Sequence, residues 1–168
     1  MIIKAIENRR SIRKYTSEPV EKAQIEEIIK AGQFAPTAKN NRLVEFVVIE
    51  DRETREKLAA ILNQEFVQEF MTQAPVLILP VTSVTNEKWA YLDLAIASEN
   101  MLLQATELGL GSVFKYINSR YFPAVRELLG IPENFFFINL VVVGYPAESK
   151  APHKEADFEP KKIHWGKW

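Results

Sequence analysis

The sequence predicts an α/β or α+β sandwich, with one sheet of four or five strands and helices on both faces. Three observations carry this. Apolar, β-branched runs at residues 44–49, 76–81 and 135–146 read as buried strands. Segments with helical apolar spacing alternate with them. Finally, the stretch from Asn86 to Ser112 reads as one long helix with two apolar stripes on opposite sides. Ala90, Leu94, Ala97, Met101, Ala105 and Leu108 form the first stripe. Leu92, Ala95, Ile96, Leu102 and Leu103 form the second. Such a helix is covered on both sides, by its own sheet and by either more of the same chain or a second subunit.

In chain order, Ile2 to Asn8 is a short helix, followed by the basic run Arg9 to Tyr15. A second helix begins at Val20 or Glu21, turns Ile25, Ile28 and Ile29 inward, and is ended by Gly32 and Pro36. A polar loop of turn formers leads into the strand at 44–49. Arg52 to Leu62 and Glu65 to Gln73 are helices, the second stopped by Ala74-Pro75. The strand at 76–81 contains Pro80, which suggests a sheet edge or a strand end. Asn86 caps the central helix and Gly109 stops it. Ser112 to Ile117 is a third strand. Phe122-Pro123 opens an amphipathic helix closed by Gly130, and residues 135–146 are the most hydrophobic strand. The polar tail from Ala147 to Trp168 holds Ile163, Trp165 and Trp168 close together, so it is expected to pack on something, such as a neighbouring subunit.

The chain has 168 residues, enough for one domain with a real core. A net charge of −1 gives no global drive toward nucleic acid or an anionic membrane. Cysteine is absent, which excludes disulfides, thiolate metal sites and cysteine nucleophiles. The two histidines, His153 and His164, form no HExxH pattern, so no metal site is expected. Asp93, Glu99 and Asn100 interrupt the long helix too often for a membrane span. The N-terminus lacks a long apolar segment, so no signal peptide is expected and a cytoplasmic location is. Neither GxGxxG nor GxxxxGK[ST] occurs.

The first chemical signal is Arg9, Arg10, Arg13 and Lys14 crowded around Ser11. Like charges this dense repel one another, so an anion is expected to face part of the cluster. Arginine suits phosphate through paired donors, and a serine hydroxyl adds another. A solvated basic turn is the bland alternative.

Four motifs then occur in order: RRSIRKY, APTAKNN, the helix D-x-A-x-A-S-E-N-M-L-L-Q-A running into GLGS, and LGIPE before a strand ending GYP. Together they resemble the flavin-dependent nitroreductase family over nearly the whole chain. The resemblance implies an α+β fold, a three-layer α/β/α sandwich with a central mixed sheet of four to five strands and a long central helix. It implies an intertwined homodimer with FMN at the interface, NADH or NADPH as electron donor, and nitroaromatics, quinones or similar acceptors served by ping-pong.

By the same resemblance, Arg9 and Ser11 hold the FMN phosphate and Arg10 contacts phosphate or flavin. Arg13 lies near the flavin N1–O2 edge, where reduction gathers negative charge that a fixed cation stabilises. Pro36, Thr37, Ala38 and Asn40 reach the flavin from the other subunit. Phe114, Lys115 and Tyr116 match a segment whose backbone N–H bonds flavin N5, and Lys161 or Lys162 reaches the phosphate. Three departures stand out: Asn40-Asn41-Arg42-Leu43-Val44 replaces N-x-Q-P-W, Tyr116 stands where glycine is usual, and Asp157 lies where many tails carry arginine. A non-catalytic FMN-binding protein of the same fold, with Tyr116 and Arg42 closing the acceptor site, is the second reading. A nucleic-acid module is a third, opposed by the acidic balance and the lack of interleaved aromatics near the basic run.

Overall fold

The computed structural model describes residues 2–64, 68–83 and 85–168. Its four strands are β1 (Val44–Ile49), β2 (Val76–Thr82), β3 (Gly111–Tyr116) and β4 (Asn139–Gly144), in the sheet order β1-β2-β4-β3. Helices α2 (Lys22–Gln33) and α5 (Glu87–Glu107) cover one face, where Ile25 and Ile28 meet Val76, Ile78, Met101, Val141 and Val143. On the other face lie α3 (Arg52–Leu62), α4 (Phe70–Gln73) and α6 (Phe122–Leu129), with Leu58, Met71 and Val125 packed against Leu77, Leu79, Leu140 and Val142. The result is the expected three-layer α/β/α sandwich.

The expected mixed sheet is corrected, because every ladder is antiparallel. The α5 crossover does join two strands of like direction, β2 and β3, but β4 lies between them and opposes both. Residues 117–138 leave and re-enter at the same end of the sheet, where the Ile117 N–H donates to the Ile138 carbonyl at 2.8 Å. Pro80 is likewise not on an edge strand. Nor does it end the strand: β2 runs on to Thr82 with Pro80 opposite Phe46 of β1, while the β2–β4 ladder stops at Ile78, short of the residue that has no donor. β1 is an outer strand, only Ile49 of it fully buried, rather than a strand covered on both faces.

The helix boundaries follow local chemistry. The Asn86 side chain accepts from the Trp89 N–H, and Gly109 (φ 75°) turns α5 directly into β3. Asp51 caps α3 by accepting from Thr54 N–H at 2.8 Å, which holds its carboxyl below the usual range. Glu21 and Gln24 form a capping box on α2, and Gly32 lies within that helix rather than after it. The first helix, α1, runs Lys4–Asn8, two residues shorter at its start than expected. Of the expected Glu65–Gln73 helix, Phe70–Gln73 is helical and residues 65–67 lie outside the described residues. Phe135 to Ile138 leave the β4 ladder. The Arg126 guanidinium captures the Phe135 carbonyl, and Phe136 exchanges backbone hydrogen bonds with Thr82.

The central helix divides as its two stripes predict, with one exception. Ala90, Leu94, Ala97, Met101 and Ala105 are buried against the chain's own core. Leu92 is 52% exposed and Ile96 39%, with Tyr91 and Ala95 also open. Leu102 joins the buried side. In the tail, His164 stacks on Trp168 with ring centroids 4.1 Å apart, and both tryptophans stay exposed.

One close approach carries a prediction. A Cβ on Gly144 would lie 2.6 Å from Pro75 Cδ and 3.0 Å from Tyr15 Cδ1, both atoms of rigid rings. Gly144→Ala should cost about 1–3 kcal/mol of stability, read as a lower urea midpoint at constant slope. An unchanged midpoint would show that the Pro75 turn yields.

Candidate functional site

The basic run is hung on the open edge of the sheet. Ser11 forms a parallel bridge with Ser112 of β3, and Ile12 N–H donates to the Ser112 carbonyl at 3.0 Å. Tyr15 anchors the far end. Its hydroxyl donates to the Ile12 carbonyl at 2.6 Å, and burial pushes its ionisation above the ordinary tyrosine range. Between these anchors the cations fan out. Arg9 Nε lies 3.6 Å from Glu99 on α5, and Arg10 Nη1 lies 3.1 Å from the ring nitrogens of His153. The Arg13 backbone N–H donates to Glu148 and holds that carboxyl below the usual range. Lys150 donates to the Ser11 carbonyl and lies 3.6 Å from Glu148. Thus Arg9, Arg10, Ser11 and Arg13 lie on one short segment, with Lys150 added from the start of the tail. Lys161 and Lys162 are not brought there. Both are exposed and pair with Glu159.

The open edge of β3 continues from Ser112. Strand alternation turns the backbone groups of Phe114 and Tyr116 outward, as the Ile12–Ser112 bond on one side and the Ile117–Ile138 bond on the other require. Lys115 N–H therefore faces β4. The Tyr116 side chain is 59% exposed and Phe114 37%. Lys115 is half-buried beside Leu62 and Tyr121, and desolvation lowers its ammonium pKa.

The third part is the loop after α2. Pro36 is exposed, and Ala38 to Asn40 make a 3-10 turn. Lys39, Asn40 and Arg42 all have positive φ (54°, 55° and 52°), which side chains other than glycine rarely adopt. Thr37 Oγ1 accepts from Arg42 N–H at 3.0 Å, and Asn40 Oδ1 accepts from Arg42 Nε at 3.0 Å. From α5, Asp93 Oδ1 accepts from Ala38 N–H at 2.8 Å, and the Trp89 ring lies 4.7 Å from Lys39 Nζ. Within the chain this loop is tied to α5, while Arg9 to Arg13 are tied to β3, to the start of the tail and, through Arg9, to Glu99 of α5.

A model of the nitroreductase family matches residues 6–145. The chain belongs to the nitroreductase family. The Archaeoglobus fulgidus protein named "Putative NADH dehydrogenase/NAD(P)H nitroreductase" is 36% identical over 173 residues, spanning 99% of this chain and 98% of its own. The Bacillus subtilis FMN reductase (NAD(P)H) is 30% identical over 89% of this chain and 68% of its own. Among solved structures, an FMN-dependent nitroreductase from Clostridium difficile R20291 superposes with a TM-score of 0.91 at 31% identity, covering 99% of this chain and all of that one.

Four residues that contact these candidate segments escape sequence reasoning. Lys150, Glu148 and His153 meet the basic run across more than 130 residues of chain, with no local signal. Asp93 did carry a signal. It sits at stripe spacing between Ala90 and Ala97, the one acid on a buried face whose other polar residue is Ser98. No group of three or more histidine, aspartate or glutamate side chains among the described residues is arranged to hold a metal. No helix among them is long and apolar enough to cross a membrane.

Proposed function

We propose that this nitroreductase-family chain is an FMN-dependent oxidoreductase that draws electrons from NAD(P)H, with the phosphate of FMN held by Arg9, Arg10 and Ser11. The observation that carries the reading is the gathering of Arg9, Arg10, Arg13 and Lys150 around Ser11, on the strand edge that also presents the outward backbone groups of Phe114 and Tyr116. The donor chemistry fits a phosphate dianion: guanidinium forks, an ammonium and a hydroxyl, with Glu99, Glu148 and Asp157 as counter-charges nearby. Beside them the Ser112 hydroxyl is buried and has no partner among the described residues. When bound, FMN supplies the two-electron carrier between NAD(P)H and an acceptor.

The chain's own residues bind and orient. Arg9, Arg10 and Ser11 neutralise the phosphate, with Lys150 as a further cation. Arg13 places a fixed positive charge that favours negative charge on the ring. Tyr116 N–H, or Phe114 N–H one ladder step back, offers the donor to the ring, since the Lys115 N–H faces β4. The Lys115 side chain and the Tyr116 ring shape the space beside it. We read the whole of 1–168 as one such domain working in the cytoplasm as a homodimer, in which the exposed face of α5 meets its mate. In that arrangement Pro36, Thr37, Ala38 and Asn40 serve the cofactor of the other protomer. Lys161 and Lys162 enter the reading only through the tail of a second protomer, with residues of about 147–168 packing across. Donor and acceptor use one pocket in turn, and nitroaromatics and quinones are the acceptor classes proposed.

The purified protein should show flavin absorbance bands that NADH or NADPH bleaches without air and that a nitroaromatic or quinone restores. A colourless protein that takes up no FMN overturns the reading. Bands that neither nicotinamide bleaches favour the non-catalytic alternative, with Tyr116 filling the acceptor space. Arg9→Ala should weaken FMN about ten- to a hundredfold, the worth of one charge-assisted contact.

A further inference from the structure

Asp93 is an expensive residue where it stands. It lies on the buried face of α5 among Ala90, Leu94 and Ala97, and it is 2% exposed. Its Oδ1 accepts from Ala38 N–H at 2.8 Å, while its buried Oδ2 has no partner among the described residues. A buried carboxylate with one oxygen unsatisfied destabilises a fold, and a leucine in its place would pack at lower cost. Selection for stability alone does not keep an acid there.

What Asp93 holds is equally costly. Lys39, Asn40 and Arg42 adopt left-handed backbone within four residues. Non-glycine residues stay in that region only when their surroundings over-determine it. The Thr37–Arg42 and Asn40–Arg42 hydrogen bonds are internal to the loop and travel with it. The Asp93–Ala38 bond and the Lys39–Trp89 contact tie the loop to the rigid central helix. The Trp89 contact involves an exposed, flexible lysine, so the bond to the buried Asp93 carboxyl fixes the position.

We propose that Asp93 is a positioning residue, whose carboxylate clamps the strained 37–42 loop to α5 in the shape that meets FMN. This rests on the proposed cofactor reading of that loop. It extends that reading to a residue which touches no cofactor and weakens the fold it sits in. The clamp also places the loop and the exposed face of α5 on one rigid body, so whatever docks on that face meets the loop in a set position.

The test compares Asp93→Leu, Asp93→Ala and Asp93→Asn in the full-length, flavin-loaded protein. Leucine and alanine remove the acceptor, and asparagine keeps one for Ala38 N–H. In D93L, and in D93A if leucine does not fit, FMN affinity should fall about tenfold, the worth of one buried hydrogen bond to a charged group. Trypsin should cut faster after Lys39 and Arg42, while the melting temperature holds or rises. D93N should restore both affinity and protease resistance. A structural role predicts the opposite: a lower melting temperature in D93L and D93A, with the loop no more open than the rest. That result, or wild-type FMN affinity with wild-type trypsin resistance in D93L and D93A, overturns the proposal. A wild-type protein that takes up no FMN overturns the cofactor reading instead, and the trypsin comparison then decides the clamp by itself.

Discussion

Ile96→Asp should yield a monomer that binds no flavin. Ile96 is 39% exposed on α5, flanked by Leu92 (52%) and Tyr91 (38%), on the helix face that the chain's own core does not cover. In the proposed homodimer this face meets its symmetry mate, so one substitution places two carboxylates in one apolar interface. A carboxylate taken out of water without a partner costs several kcal/mol. Two of them should weaken association by about a thousandfold or more. Sedimentation at micromolar concentration reads the monomer directly, and the ratio of flavin to protein absorbance reads the cofactor. The fold itself should survive, because Ile96 belongs to neither core cluster. A variant that still sediments as a dimer would remove α5 from the interface. A flavin-loaded monomer would remove the second protomer from the site.

Phe137→Ala should cost about 3–5 kcal/mol, a large share of the ~5–15 kcal/mol that holds a domain together. The side chain is fully buried beneath the sheet, its ring 4.5 Å from that of Phe122 at 52°. Arg126 lies 5.2 Å from the Phe137 ring and 5.7 Å from the Phe122 ring, and donates to the carbonyls of Glu133 and Phe135. Truncation opens a cavity and also loosens the guanidinium that holds the 133–137 turn. Urea unfolding should show a much lower midpoint at nearly constant slope. A loss below about 1.5 kcal/mol would mean that Phe122 and Leu140 close over the gap.

How much of this was legible in the sequence depends on how far the deciding contact lies along the chain. Asn86 and Gly109 mark α5 to within a residue, because caps act over three or four positions, and α3 keeps its expected bounds, Arg52 to Leu62. Both faces of α5 were readable from spacing alone, apart from Leu102. The basic run announced an anion through its own charge density. Sheet order was not readable. Nothing local says that β4 enters between β2 and β3, and that insertion makes every ladder antiparallel. Phe135 to Ile138 look like strand by composition, yet Arg126 diverts their backbone from a neighbouring helix. Lys150 sits 139 residues from Ser11, and no pattern distinguishes it from Lys161 or Lys162, which the fold leaves beside Glu159. Asp93 reads only as a break in a membrane span, and nothing local says what it grips 55 residues away.

The Ser11–Ser112 bridge makes β3 a ruler. Ser112 carries the basic segment proposed to bind phosphate on its outer edge, and Tyr116, four residues on, presents its backbone to the same edge. At about 3.3 Å per residue the two stations lie roughly 13 Å apart, and an even separation keeps both facing outward. A single-residue insertion or deletion inside β3 would change that span by about 3.3 Å and also turn one station toward β4. In the proposed site, the interval from Ser112 to Tyr116 sets the span between the phosphate contacts and the donor to the ring.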